Sequence, residues 1–192
     1  MRRFARQGSA ILGICGGYQM LGERLSDPGG VETEAGTVEV GLGLLPIETI
    51  FGALHDKVTK QCQVQINPQV RRGLFAHLDE RHLQVYQIHV GQTRARDTSE
   101  HHTHTVFLQE TGQTESWLST DGWCAGSYLH GLFENDHFRH GIVEALAKRR
   151  YHQPLYSEQT HFSRQQEYDR LAEALRQHLD LVQITALRNL GA

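Results

Sequence analysis

Cys15 stands in Gly13-Ile14-Cys15-Gly16-Gly17-Tyr18-Gln19, a cysteine held between glycines at the end of the apolar run Ala10–Ile14. A helix-compatible segment, Tyr18–Leu25, follows at once. Strand, sharp turn and helix in that order describe a nucleophile elbow, whose turn forces the nucleophile into a cramped backbone conformation and needs small neighbours. Gly13, Gly16 and Gly17 supply them. The helix behind the cysteine aims its free N–H groups and positive dipole end at the sulfur, which favours thiolate, the reactive form. The competing reading is a buried, inert cysteine beside a glycine-rich turn. The agreement of strand, glycines and helix favours the nucleophile.

A cysteine nucleophile needs a base, usually a histidine, and the chain has thirteen. His130, in Ser127-Tyr128-Leu129-His130-Gly131, ends a strand just before a loop, where rigid scaffolds hold catalytic groups. Paired with the elbow, it is the leading base. His89, in Tyr86-Gln87-Ile88-His89-Val90-Gly91, also ends a strand, and Gly91 exposes backbone groups beside it. It reads as a substrate-binding position or as a satisfied structural histidine. His101, His102 and His104 lie in a polar stretch that reads as a solvated loop rather than a metal cluster. His137 and His140, three apart on a helix, likewise carry no metal expectation.

At 192 residues the chain can form one domain with a real core. Composition is that of a globular protein, and a net charge of −3 gives no reason to expect nucleic acid as a partner. No apolar run approaches a membrane span, and Met1-Arg2-Arg3-Phe4-Ala5-Arg6 has no hydrophobic segment behind it, so neither a membrane nor export is expected. Cys15, Cys62 and Cys124 cannot all pair, lack metal-ligand spacing and fit a reducing cytoplasm.

The pattern of elements is mixed α/β. Arg2–Gln7 reads as a helix stopped by Gly8, and Ala10–Ile14 as a buried strand. Ser26–Gly36 reads as a loop, and Val38–Phe51 as short extended pieces. Val58–Ile66 and Leu83–Ile88 alternate as strands do, and Thr105–Leu108 and Ser116–Ser119 are further short ones. Arg96–Thr105 reads as an exposed loop, and Trp123–Leu129 as one strand running into His130. Phe138–Lys148 is helical. Ser163 with Gln166 resembles a capping box before a helix that places Tyr168, Leu171, Ala172, Leu175 and Leu179 on one face. An elbow normally ends a central strand with parallel neighbours. Only about ten residues precede this one, whereas a βαβ unit needs roughly 30. Either later strands build the sheet or the first part of the domain is absent, and the second is the expectation.

Four motifs in order carry a family resemblance: Gly13–Gly22 around the cysteine, Gly41–Thr49, Tyr86–Thr93 and Ser127–Asp136. Together they closely resemble the glutamine amidotransferase domain of cobyric acid synthases, and Tyr168–Asp180 resembles that family's last helix. The resemblance implies one domain over residues 1–192 with a class I amidotransferase-like α/β fold. That fold is a flavodoxin- or Rossmann-like, mostly parallel sheet flanked by helices, here lacking its N-terminal strands. It implies that Cys15 and His130 are the catalytic pair and that Gly16, Gln19, His89 and Gly91 serve the glutamine pocket. Glutamine would be hydrolysed and its ammonia passed to an ATP-dependent synthetase domain, which amidates adenosylcobyrinic acid a,c-diamide in cobalamin synthesis. No cofactor is expected in this chain. ATP and Mg²⁺ belong to the synthetase domain, whose phosphate loop, Gly-x-x-x-x-Gly-Lys-[Ser/Thr], is not found in the sequence.

The chain also departs from the family pattern. Relatives usually read Gly-Tyr-Glu-Ile-His-Met-Gly-Arg-Thr at the second histidine, where this chain has Val85, Gln87, Val90 and Gln92. Many amidotransferases orient the catalytic histidine with a glutamate two residues on. Leu132 stands there, as cobyric acid synthases also lack that glutamate, and Glu134 is the nearby carboxylate. Two other readings stay open at this stage: a free-standing amidotransferase subunit, such as one serving a lipid II amidating ligase, and an inactive truncated remnant.

Overall fold

Ile11, Leu12 and Ile14 make a short apolar strand that runs straight into the elbow, and the rest of the fold is arranged around it. The computed structural model describes residues 1–52, 57–79, 81–96, 104–109, 112–153, 163–180 and 183–184. Two units are distinguished, Met1–Gln159 and Thr160–Ala192. In chain order the first contains α1 (Arg2–Arg6), β1 (Ile11–Ile14), α2 (Gly16–Leu21), β2 (Arg24–Asp27), β3 (Thr37–Val40), β4 (Ile47–Phe51) and β5 (Val58–Ile66). It continues with β6 (Leu83–His89), β7 (Gly91–Ala95), β8 (Phe107–Gln109), β9 (Gly112–Gln113), β10 (Ser116–Leu118), β11 (Cys124–Ser127), β12 (Leu129–His130) and α3 (Asp136–Tyr151).

The described strands form three sheets: β1-β11-β10, β12-β6-β5-β8-β9 and β3-β2-β4-β7. The mostly parallel sheet expected from the resemblance is not what the described strands build. Only β1 with β11 and β2 with β4 pair in parallel; every other described pairing is antiparallel. Parallel neighbours need a crossover of a dozen or more residues, and the links after β8 and β10 are far shorter. The domain remains α/β with mixed sheets.

Period-two alternation is clean in β6, where Leu83, Val85, Gln87 and His89 are buried and Gln84, Tyr86 and Ile88 face out. One apolar cluster joins β5, β6 and β8 to α3, with Phe75, Phe107 and Phe138 in mutual ring contact at 6.0–6.3 Å. A second gathers Tyr18, Leu21, Leu45, Ile47, Trp117 and Tyr128 beneath the elbow helix.

Three expectations on element boundaries change. The helix expected over Tyr18–Leu25 stops at Leu21. Gly22 presses against β4, where a Cβ would meet the Ile47 carbonyl oxygen at 2.7 Å, and Glu23 donates to that same oxygen, so the chain turns into β2. The single strand expected over Trp123–Leu129 breaks at Tyr128, and its two halves join different sheets. Of the loop expected over Arg96–Thr105, residues 97–103, with His101 and His102, lie outside the described residues. His104 is buried rather than solvated: it stacks on Trp117 at 5.0 Å and shares a 2.6 Å hydrogen bond with the Leu118 carbonyl.

In the second unit, α4 (Arg164–His178) begins at Ser163, whose hydroxyl accepts the Gln166 N–H at 3.3 Å, as the sequence pattern predicts. No described helix is long and apolar enough to cross a membrane.

Gly126 of β11 lies against the buried Tyr18 ring, where a Cβ would stand 2.1 Å from Cδ2. Gly126→Ala is therefore expected to cost about 1–3 kcal/mol through overpacking, read from the urea unfolding midpoint. An unchanged midpoint contradicts this packing.

Candidate active site

Cys15 is the N-cap of α2 and holds φ 54°, ψ −119°. Only one other described non-glycine residue has a positive φ, His152 at φ 55°, ψ 21°, an ordinary left-handed helix end. The Cys15 conformation is strained, by about 1–3 kcal/mol for such backbones. Neighbouring bonds over-determine it. The Cys15 N–H donates to the Ser127 carbonyl at 3.0 Å, and the Cys15 carbonyl accepts from Tyr18 and Gln19. The steric requirement falls on Gly13, where a Cβ would lie 2.7 Å from the Gly17 carbonyl oxygen and from Leu21. Gly16 and Gly17, read from sequence as needed small neighbours, have open space instead: a Cβ at Gly17 meets nothing within 4 Å. The half-buried Cys15 thiol reaches the Ile88 carbonyl at 3.5 Å. The other two cysteines are chemically quieter. Burial pushes the Cys124 thiol up to about 12, with Asp121 adding to the effect, and burial raises Cys62.

A cavity of about 510 Å³ opens at the elbow, a size typical of small-molecule sites. Cys15, Gly16 and Gln19 line it from the elbow, Ile88, His89 and Val90 from the end of β6. Beneath it runs a buried polar layer. The Gln19 carboxamide NH₂ donates to the Tyr128 hydroxyl at 3.1 Å, which is 2.7 Å from the Thr93 hydroxyl, itself 2.7 Å from that of Thr49. The Thr93 N–H donates to Glu115 at 2.9 Å. Burial raises the Glu115 carboxyl above its usual range, against the pull of that N–H. Burial also pushes the Tyr128 hydroxyl up to about 12, so it stays protonated at neutral pH. His89 stacks flat on Tyr128 with ring centres 3.7 Å apart and bonds the Gly91 carbonyl through Nδ1 at 2.8 Å. A carbonyl only accepts, so Nδ1 carries the proton. Burial lowers the His89 pKa, opposed by the Gly91 bond and reinforced by Lys60 and His130. Gly91 does not line the cavity; it packs on Gln19, where a Cβ would stand 2.7 Å from Nε2.

His130 is not among the residues lining the cavity. It is placed by β12, directly opposite Tyr86 on β6, and the two rings stack at 5.0 Å and 12°. Its Nε2 is buried and has no hydrogen-bond partner among the described residues. Cys15 and His130 thus approach the same strand, two residues apart along it, through Ile88 and Tyr86. Leu132 is core, 1% exposed, so no carboxylate acts from there. Among the departures seen in the sequence, Val85 and Gln87 are buried, Val90 lines the cavity and Gln92 is exposed. Among the described residues no cluster of three or more His, Cys, Asp or Glu side chains could hold a metal ion. His137 instead pairs with Asp79 at 3.0 Å.

Sequence reasoning missed Tyr128, Thr93, Thr49 and Asp27. For Asp27 a signal existed: Asp27-Pro28-Gly29-Gly30 is turn chemistry in which an aspartate bonds the backbone ahead of it. Its carboxylate accepts the N–H groups of Val31, Glu32 and Thr33, each at 2.8 Å, plus the Thr33 hydroxyl, and so shapes the loop that brings Glu32 and Thr33 to the cavity. Burial alone would raise the Asp27 carboxyl, but these bonds win and lower it from 3.8 to about 2. A carboxyl with a lowered folded-state pKa stabilises fully above its unfolded value and loses that contribution as pH falls. The thermal stability gap between wild type and Asp27→Asn is therefore expected to be complete at neutral pH and to close between about 3.8 and about 2. A gap independent of pH would contradict this role.

Residues 1–138 match the CobB/CobQ-like glutamine amidotransferase domain. The chain is 36% identical over 191 residues to the cobyric acid synthase of Dehalococcoides mccartyi, covering 97% of this chain and 36% of that protein. It is 45% identical over 142 residues to the cobyric acid synthase of Roseiflexus castenholzii, covering 71% of this chain and 26% of that one. The chain therefore spans only a minority of the length of these curated relatives. A chain from the structure of PurLQS from Thermotoga maritima aligns with a TM-score of 0.49 at 15% identity, over 77% of this chain and 65% of that one. The family match covers the elbow, the cavity and the His130 strand, and on it this chain belongs to the CobB/CobQ-like glutamine amidotransferase domains, homologous to the amidotransferase region of cobyric acid synthases.

Proposed function

We propose that this chain hydrolyses the side-chain amide of glutamine with Cys15 as nucleophile and His130 as general acid–base, and supplies the ammonia to an ATP-dependent synthetase. The observation that carries the reading is the strained Cys15 backbone on the wall of a cavity that Gln19 and His89 also line. Such strain persists at reactive sites where it presents a side chain that relaxed backbone would turn away. Glu32, Glu39 and Lys57 line the same cavity and carry charges complementary to an amino acid's ammonium and carboxylate groups.

The Cys15 thiol leaves its contact with the Ile88 carbonyl, gives its proton to His130, and the sulfur attacks the amide carbon of glutamine. The Gly16 N–H, next after the nucleophile, donates to the developing oxyanion. The C–N bond breaks as His130 protonates the departing ammonia, a poor leaving group without an acid. Water, deprotonated by His130, then attacks the thioester carbon. Glutamate leaves and the thiol is restored. Tyr86, stacked on the imidazole, holds its plane where many amidotransferases use a carboxylate.

Kinship to cobyric acid synthases supports the proposed partner and acceptor: a synthetase that uses ATP and Mg²⁺ to amidate carboxylates of adenosylcobyrinic acid a,c-diamide. No step of that activation is assigned to residues of this chain.

Cys15→Ala is expected to abolish glutamate release, and His130→Ala to lower it by about 10²–10⁴-fold. Paired with a cobyric acid synthase synthetase segment, Cys15→Ala should abolish glutamine-dependent amidation of the diamide while leaving ammonium-dependent amidation intact. Glutamine turnover that survives Cys15→Ala would contradict the mechanism. A pair that amidates no cobyrinic substrate even with ammonium would contradict the acceptor.

A further inference from the structure

The carboxamide of Gln19 has two ends, and the structure separates them. The NH₂ end points inward: it donates to Tyr128, and a Cβ on Gly91 would stand 2.7 Å from Nε2. Tyr128 is fully buried, and neither it nor Gly91 lines the cavity. The carbonyl end points to the elbow: a Cβ on Gly16 would stand 4.0 Å from Oε1, and Gly16 does line the cavity. The Tyr128 hydroxyl has one proton. Its oxygen accepts from Gln19 and shares a hydrogen bond with the Thr93 hydroxyl, which shares another with Thr49. Thr49 and Thr93 are 1% and 8% exposed, so water does not offer an easy substitute.

We infer that Tyr128 is a positioning residue for substrate selection: its hydroxyl, backed by Thr93 and Thr49, holds the Gln19 carboxamide so that Oε1 faces the cavity as an acceptor for an N–H donor of bound glutamine. This rests on the amidotransferase reading above. Glutamine offers two such donors, the side-chain amide and the α-ammonium. Glutamate lacks the first and 4-carbamoylbutanoate lacks the second. A fixed acceptor rejects a ligand that brings an oxygen or nothing to that point, because the buried polar group is then left unpaired. Without the Tyr128 hydroxyl the carboxamide turns over freely, and the discrimination goes with it.

Affinities for L-glutamine, L-glutamate and 4-carbamoylbutanoate are to be measured by calorimetry on the Cys15→Ala chain, which cannot consume the amide, and on Cys15→Ala/Tyr128→Phe. Phenylalanine keeps the ring for its contacts with Tyr18 and His89. The expected result is about a tenfold loss for glutamine in the double variant, with one of the other two ligands holding or gaining affinity. A holding glutamate identifies the side-chain amide as the donor, and a holding 4-carbamoylbutanoate identifies the α-ammonium. Thr93→Val, which leaves Tyr128 in place and removes the next hydroxyl, should erode the same preference in the same direction. Unchanged affinities, or an equal loss for all three ligands, in folded variants overturn the inference. A Cys15→Ala chain that binds no glutamine overturns the amidotransferase reading itself.

Discussion

The hydrogen bond from the Cys15 N–H to the Ser127 carbonyl is the constraint on which the site depends. It closes the Ile14–Ser127 pair of the β1–β11 ladder and anchors the Cys15 N–H at the strand end, from which the turn into α2 takes Cys15 to a positive φ. The strain this imposes is affordable because packing on both sides of the turn is already fixed. Gly13 lets α2 close against β1, and Gly126 makes room for Tyr18 on the other face. The elbow is thus a property of two strands and a helix together rather than of a local loop.

The same β11–β12 segment joins the parts of the site. Ser127 holds the elbow, Tyr128 lies beneath Gln19 and His89, and His130 crosses to face Tyr86 on β6. The break at Tyr128 is what permits this, since a continuous strand would keep all three residues in one sheet. Cys15 follows a strand of the first sheet, His89 and His130 lie in the second, and Thr49 and Thr93 in the third. Gln19, Tyr128, Thr93 and Thr49 form a buried polar layer in which each hydroxyl has a partner, the condition for polar groups to lie under a cavity without destabilising the fold.

Local pattern made the strand–turn–helix around Cys15 legible in the sequence, and period-two alternation did the same for β5 and β6. The Ser163 cap was equally readable, because its chemistry lies within three residues. What escaped depends on partners distant in sequence. Nothing near Glu23 announces that β4 will capture the chain and end α2 early. Tyr128 reads as a strand residue until Gln19, more than a hundred positions earlier, is seen to need its hydroxyl. His104 looked solvated because its neighbours are polar, yet Trp117 and the Leu118 carbonyl bury it. The mostly parallel sheet came from family resemblance, and the short strand connections of this chain build mixed sheets instead.

The central claim is that Cys15, in its strained turn, is the thiol presented to glutamine. The most direct measurement is mass spectrometry of the whole chain after exposure to a diazo-ketone analogue of glutamine, with peptide mapping and protection by glutamine. The account predicts a single adduct on Cys15, slowed by glutamine, with Cys62 and Cys124 untouched. A folded chain left unmodified, or one labelled equally at Cys62 regardless of glutamine, would contradict it.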